Sequence, residues 1–127
     1  MAEPHPFRQA VEAKDLAQIT ATLRKDVVLH SPIVFRGFNG RDLVVAVLTE
    51  VAATLENLRY TDELREGNTV ALRFKAEVDD YELEGIDFLE LDDDDRVAEL
   101  TVFMRPLTAV NRFNEQMTER LEAARSE

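Results

Sequence analysis

The chain contains no cysteine and no tryptophan, and it has only 2 histidines, His5 and His30. Without cysteine there is no disulfide, no thiolate nucleophile and no zinc–thiolate site. Two histidines are too few for a multi-histidine metal centre, so we expect no metal. Basic residues are also scarce: 15 Lys and Arg face 26 Asp and Glu, a net charge of −11. We therefore expect neither a nucleic-acid nor a membrane partner, because both favour a basic surface.

Long hydrophobic runs are missing as well. The longest wholly apolar stretch, residues 43–48, is far shorter than the roughly 20 residues that span a bilayer. Residues 1–5 show neither the basic start nor the apolar stretch of a secretory signal. The 127 residues are 45% hydrophobic, which is enough for one core. We expect a single cytoplasmic domain that covers residues 1–127.

The first third of the chain has helical spacing and then changes period. Pro6 is suited to begin a first helix, and Asp15 is suited to cap a second helix that carries Leu23 on its apolar face. The β-branched run at residues 27–29 predicts a strand that ends before Pro32. Residues 35–40 contain two glycines and an asparagine, which predicts a loop.

The rest of the chain predicts one long helix, a set of strands and a final helix. Apolar residues recur at helical spacing over residues 43–55. Alternation of period two then marks strands at residues 70–78, 81–91 and 97–105, joined by short acidic turns. Thr108 is placed to cap a terminal helix. Helices followed by an antiparallel meander predict an α+β fold.

Asp87 interrupts the apolar face of its strand. The alternation puts it on the same side as Leu83, Leu89 and Leu91. A carboxyl group in apolar surroundings is costly to ionise, and burial raises its pKa. In its neutral form it could donate a hydrogen bond to a ligand carbonyl, and in its ionised form it could abstract a proton. The alternative is a structural aspartate held by a hydroxyl, a buried water or an arginine.

Three further side chains are candidates for the same site. His30 could act as an acid or base, or it could be a half-exposed structural histidine. Tyr60 and Asp62 share a strand face with Leu58 and Leu64, so they could reach the rim of a pocket. Alternatively, they only mark the end of a strand.

The chain resembles the SnoaL-like branch of the NTF2-like superfamily over roughly residues 6–110. The resemblance implies a cone-shaped domain in which a curved sheet wraps around helices and encloses an apolar pocket. It also implies relatives that are polyketide cyclases, ketosteroid isomerases, epoxide hydrolases or pocket proteins of unknown ligand. The matching segments are residues 7–16, 26–32, 40–42, 58–64, 84–91 and 99–102.

The resemblance to the ketosteroid isomerases is partial at the catalytic positions. It places Asp87 where those enzymes keep a protonated oxyanion-hole aspartate. Ser31, just before Pro32, takes the place of their general-base aspartate, and Phe7 takes the place of their oxyanion-hole tyrosine. Since two of the three groups are absent, isomerisation by that mechanism is not expected here.

We expect a small-molecule pocket protein, with Asp87 as the catalytic residue of a cyclase, isomerase or hydrolase acting on an apolar carbonyl or epoxide compound. No cofactor is expected, because proton transfer in a dry pocket needs none. The alternatives are a non-catalytic module that binds a lipophilic ligand or a protein, and a filled core in which Asp87 is structural. The expected ligand-binding residues are Phe7, Leu29, Ser31, Tyr60, Leu72, Phe74, Leu89, Leu100, Val102 and Met104.

The opposite face of the predicted sheet is also partly apolar. Ile86, Phe88, Val97 and Phe103 alternate with the inward residues and should form a patch on the outer side. Such a patch commonly meets another surface. The family resemblance implies dimerisation through this face, so we expect a homodimer. The alternative is that the C-terminal helix covers the patch.

Overall fold

The computed structural model describes residues 3–126, with side chains described for residues 3–123. This part of the chain forms four helices and six strands, which confirms the expected α+β class. The elements are α1 (Pro6–Glu12), α2 (Leu16–Thr22), β1 (Leu23–His30), β2 (Phe38–Asn39), α3 (Arg41–Thr54), β3 (Glu56–Glu66), β4 (Thr69–Val78), β5 (Tyr81–Leu91), β6 (Val97–Arg105) and α4 (Leu107–Ser126).

All six strands belong to one sheet with the order β2-β1-β6-β5-β4-β3. The prediction of an antiparallel meander is confirmed for β3 to β6. The sheet as a whole is mixed, because β1, which lies outside the meander, pairs with β6 in parallel. After β1 the chain passes through β2 and α3 to β3, at the other edge of the sheet, and this long connection allows β1 and β6 to run in the same direction. The periodicity of a strand does not predict the course of such a connection.

The N-terminal helices begin as predicted, but the second ends earlier. Pro6 lies in the first turn of α1, and Asp15 caps α2 by accepting a hydrogen bond from the Gln18 backbone N–H at 3.1 Å. Leu23 is not on the helix: it begins β1 and is fully buried. A buried Leu23 fits the apolar spacing of a helix as well as that of a strand. The predicted helix was therefore one residue longer than α2.

Two other boundaries differ from the predicted ones. The expected loop at residues 35–40 contains the short strand β2, in which Phe38 lies opposite Leu29 of β1. The terminal helix α4 begins at Leu107, so Thr108 lies in its first turn and not at its cap. No helix in residues 3–126 is long and apolar enough to cross a membrane.

The core lies between the inner face of the sheet and the helices. The alternation in β4 predicts that Val70, Leu72, Phe74, Ala76 and Val78 point inward, and all five are buried. Val97, predicted on the outer patch, is instead 0% exposed on the inside. The pairing register of β5 and β6 shifts between Glu90 and Leu91, which brings Val97 opposite the inward Leu91. One irregularity in the ladder is enough to change the side of the sheet that a residue faces.

A second register shift changes the prediction for β3. It falls between Tyr60 and Asp62 in the pairing of β3 with β4. Tyr60 remains on the inner face and is buried, while Asp62 and Leu64 point outward, Leu64 with 72% of its surface exposed. Glu63 takes the inward, half-buried position instead. Asp62 and Leu64 therefore do not reach the pocket rim.

Candidate active site

A cavity of about 500 Å³ lies between the inner face of the sheet and all four helices. This volume falls within the usual range for small-molecule sites. Most of its wall is aliphatic or aromatic, because each element turns its apolar stripe inward. The sheet contributes Leu29, Tyr60, Phe74, Asp87, Leu100, Val102 and Met104, and the helices contribute mainly Phe7, Val11, Ile19, Val47, Leu48, Val51, Phe113, Met117 and Leu121.

Asp87 lies in the wall of this cavity, at the centre of β5. Its neighbours across the ladder are Leu72 on β4 and Val102 on β6. The Tyr60 hydroxyl donates a hydrogen bond of 2.7 Å to Oδ2 of the carboxyl group. Within the described part of the chain, Tyr60 is the one side chain that donates to this carboxyl. The aspartate is therefore held by a hydroxyl and also faces the cavity.

The surroundings shift the proton affinity of both groups. Burial raises the pKa of Asp87 to about 6, against the lowering effect of the Tyr60 hydrogen bond. Burial, followed by the neighbouring Asp87 charge, raises the pKa of Tyr60 well above its usual value. The phenol therefore keeps its proton and acts as a donor, while the carboxyl exchanges a proton near neutral pH.

The Tyr60 ring also contacts a cluster of charged side chains. The Arg8 guanidinium lies 5.9 Å from the ring centroid, within the range of a cation–π contact. Arg8 Nη1 forms an ion pair with Glu63 at 3.3 Å. Arg8 Nε lies 3.4 Å from Glu12, which is close enough for an ion pair but does not have the geometry of a hydrogen bond. Phe74 packs edge-on against Tyr60, with 6.4 Å between the ring centroids. These contacts fix the direction of the Tyr60 hydroxyl toward Asp87.

Residues 6–100 match the SnoaL-like domain family. The chain belongs to this family. No curated protein gives a match to it. Among solved structures, it is similar to one from Pseudomonas aeruginosa described as a steroid delta-isomerase. That similarity has a TM-score of 0.90 and 29% sequence identity, over 95% of this chain and 90% of that chain.

Two other solved structures share the architecture. A protein from Silicibacter pomeroyi, described as uncharacterized with a cystatin-like fold, has a TM-score of 0.88 and 29% identity over 92% of this chain and 83% of that one. A SnoaL-like protein of unknown function from Burkholderia thailandensis has a TM-score of 0.67 and 16% identity over 80% of this chain and 90% of that one. The second similarity concerns the fold alone.

The cavity of this SnoaL-like domain contains most of the residues expected in the pocket wall. Leu72 and Leu89 are exceptions: both are fully buried but pack in the solid part of the core. Alternation predicts only that a side chain faces inward, and it cannot tell a packed region from a hollow one. The expected residues that do line the cavity are Phe7, Leu29, Ser31, Tyr60, Phe74, Leu100, Val102 and Met104.

His30 and Ser31 take different positions in the SnoaL-like fold. The His30 side chain is 37% exposed and lies 3.7 Å from Glu99, away from the cavity wall. Ser31 lines the cavity, and its Oγ accepts hydrogen bonds from the backbone N–H groups of Ile33 and Val34 at 3.3 and 3.2 Å. The hydroxyl hydrogen of Ser31 is therefore available for a ligand oxygen.

The sequence did not indicate the polar residues at the outer part of the cavity. These are Glu12 on α1, Lys14 after it, Thr49 on α3, Asn57 on β3, and Asn114 and Thr118 on α4. The last two are four residues apart beside the apolar stripe of α4, and this spacing is the one signal that could have found them. Residues 3–126 contain no group of three or more acidic or histidine side chains placed to hold a metal ion.

Proposed function

We propose that this SnoaL-like domain is a cofactor-independent enzyme that transfers a proton on a small apolar carbonyl compound, with Asp87 as the proton carrier. The supporting observation is the Asp87 carboxyl in the wall of an apolar cavity, with its pKa raised to about 6. At neutral pH most of this group is ionised, so it can take a proton from carbon. A base whose pKa is close to the working pH can also return that proton.

The simplest reaction of this class is the shift of a carbon–carbon double bond next to a ketone. Asp87 removes a proton from the carbon between the carbonyl and the double bond, and the electron pair moves into a dienolate. The same proton then returns to the far carbon, so the substrate is isomerised and the carboxylate is regenerated. Tyr60 holds the carboxyl in place, and the free hydroxyl hydrogen of Ser31 is a donor for the enolate oxygen.

The similarity to the structure described as a steroid delta-isomerase supports an isomerase within this class. The chain nevertheless has Phe7 and Ser31 where the ketosteroid isomerase pattern has a tyrosine and an aspartate. Asp87 is the carboxyl group in the buried part of the cavity wall, since the other acidic lining residue, Glu12, is exposed. We therefore assign Asp87 the role of base and not that of a neutral donor.

A second function is favoured by the composition of the cavity wall. Most of the wall is apolar, and the Tyr60 hydroxyl already supplies a partner for Asp87. A domain that only binds a lipophilic ligand would need no more than this. Binding without turnover is therefore the alternative that the experiment must separate from catalysis.

The test compares Asp87→Asn with Asp62→Asn, which changes an exposed carboxyl on the outer side of the sheet. The substrate is a β,γ-unsaturated cyclic ketone, and the conjugated product is followed by its ultraviolet absorbance. We expect Asp87→Asn to lower kcat by about 100-fold or more, because a general base contributes on that scale. Asp62→Asn should leave kcat unchanged.

The pH profile of the wild-type protein separates the two roles of Asp87. If the ionised carboxyl is the base, kcat/KM rises with pH through about 6. If the neutral carboxyl is a hydrogen-bond donor, kcat/KM falls through the same range. Equal turnover by the wild type and Asp87→Asn would remove Asp87 from the mechanism. Binding of the ketone without turnover would favour the ligand-binding function.

A further inference from the structure

The polar side chains that line the cavity lie at different depths. Asp87 and Tyr60 are buried on the inner face of the sheet, and Ser31 is half-buried. The exposed polar lining residues are Glu12, Lys14, Thr49, Asn57 and Thr118. Most of the remaining lining is apolar. Because a few placed polar groups orient a ligand in such a site, this division predicts a ligand with a polar group at each end.

The backbone at the opening is unusual at two residues. Lys14 and Asn57 both have φ of +55°, in the left-handed region. The other non-glycine residues with positive φ in the described chain are Asp79 and Asp95, and both lie in the turns of strand hairpins, where this backbone is common. Lys14 takes the position after α1 that glycine or asparagine usually fills. Backbone strain of this kind collects at ligand sites.

The positive charge of Lys14, at the opening of the cavity, has no ion-pair partner in the described part of the chain. Lys14 is the one basic residue among the described residues that line the cavity. No carboxylate in the described part of the chain forms an ion pair with its ammonium group, although the whole chain has a net charge of −11. The neighbouring acidic residue, Glu12, is already paired with Arg8. An anionic group at the opening would therefore find a free positive charge.

We propose that the natural ligand is an apolar carbonyl compound that carries a carboxylate at its other end. The reacting end of the ligand lies beside Asp87, with its carbonyl oxygen at Ser31, and the carboxylate lies at the opening beside Lys14. Asn114, which is half-buried on α4 in the same wall, supplies an amide donor. An ammonium group is a compact point charge that suits a single carboxylate. This inference rests on the proposed function, because it concerns the far end of the molecule on which Asp87 acts.

The experiment uses two fluorescent probes, 11-(dansylamino)undecanoic acid and its methyl ester, which differ only in the negative charge. Each is titrated into the wild-type protein, into Lys14→Gln and into Lys25→Gln. Lys25 is the matched control, since it is exposed on β1, lies outside the cavity wall and also lacks an ion pair in the described chain. Both variants lower the net charge by the same amount.

We expect Lys14→Gln to weaken binding of the acid by about two- to fivefold and to leave binding of the ester unchanged, as for an exposed charge pair. Lys25→Gln should change neither. An equal effect of Lys14→Gln on both probes, an equal loss for Lys25→Gln, or no binding of either probe by the wild type would overturn the inference.

The two proposals fail separately. The role of Asp87 is measured as turnover of an uncharged ketone, in which Lys14 takes no part. If Asp87→Asn keeps full turnover while Lys14 still distinguishes the acid from the ester, catalysis is wrong and the anionic subsite stands. If Asp87→Asn loses turnover while the acid and the ester respond alike to Lys14→Gln, the subsite is wrong and catalysis stands.

Discussion

The Asp87–Tyr60 pair combines a group that titrates near neutral pH with a group that keeps its proton. Burial raises the pKa of both side chains, and the hydrogen bond between them limits the rise for Asp87. Strand alternation placed Asp87 on the buried face of β5. It could not supply Tyr60 as the partner, because Tyr60 belongs to β3, two strands away, and alternation within one strand gives no pairing between strands.

Because the pKa of Asp87 is raised, the free energy of unfolding falls as pH rises toward neutrality. Its pKa is 3.8 in an ordinary setting and about 6 in the fold, so between these values the folded state binds more protons than the unfolded state. The contribution of Asp87 to the free energy of unfolding is therefore complete below pH ~4 and is lost as pH rises through about 6. In Asp87→Asn this dependence disappears.

Urea unfolding at pH 4 and pH 7 measures this effect. From pH 4 to pH 7, wild type loses the contribution of Asp87 and the variant has none to lose. We therefore expect the free energy of unfolding of Asp87→Asn minus that of wild type to rise by on the order of 3 kcal/mol over this range. Asp62→Asn serves as the control, since this carboxyl is exposed, and its difference from wild type should stay nearly constant. An equally constant difference for Asp87→Asn would show that the buried carboxyl has an ordinary pKa.

At the scale of elements, the sequence predicted the helices and every strand except the short β2, but not the register shifts in two strands. The inward residues of β4 alternate without interruption, and all of them were predicted correctly. In β3 and β6, one shift in the ladder moved Leu64 outward and Val97 inward. Such shifts depend on the partner strand, so a pattern within a single strand cannot reveal them.

Gly85 shows how closely β5 and its neighbours are packed beside the site. A Cβ atom at this position would collide with the Phe103 carbonyl oxygen and would lie 2.7 Å from Cζ of Phe74. Because the first contact is with backbone, side-chain rotation cannot relieve it. Phe74 in turn packs against Tyr60, so the displacement would reach the donor of Asp87.

We expect Gly85→Ala to lower the free energy of unfolding by about 1–3 kcal/mol or more, through overpacking. Gly37→Ala is the control, because its Cβ would meet only side-chain atoms of Val28 and His30, which can move. Chemical denaturation of both variants provides the comparison. A smaller loss for Gly85→Ala than for Gly37→Ala would contradict the close packing described for β5.

At the scale of the whole molecule, the outer face of the sheet retains an apolar patch without Val97. Ile86 and Phe103 are opposite each other on β5 and β6, with 40% and 57% of their surfaces exposed. Glu84 beside them pairs with Arg73 and Arg105, so the face carries both signs of charge. Helix α4 does not cover this patch, because its apolar stripe packs on the inner side of the sheet.

The homodimer through this face stays a prediction. A surface with an apolar centre and charges of both signs can complement a second copy of itself around a two-fold axis. We expect Phe103→Asp to shift the sedimentation coefficient from that of a dimer toward that of a monomer. Leu64→Asp, at an exposed apolar residue of β3, is the control and should leave it unchanged. A wild-type protein that sediments as a monomer would exclude this contact.

The parallel pairing of β1 with β6 has a consequence for how the protein is made. Leu29, near the start of the chain, finds its partner Leu100 only near the end. During synthesis, β1 therefore leaves the ribosome long before the strand that pairs with it, and contacts this distant in sequence form slowly. The cavity has Leu29 and Leu100 in the same wall. A ribosome-bound nascent chain that stops before β6 should therefore lack the binding site, however well its helices have formed.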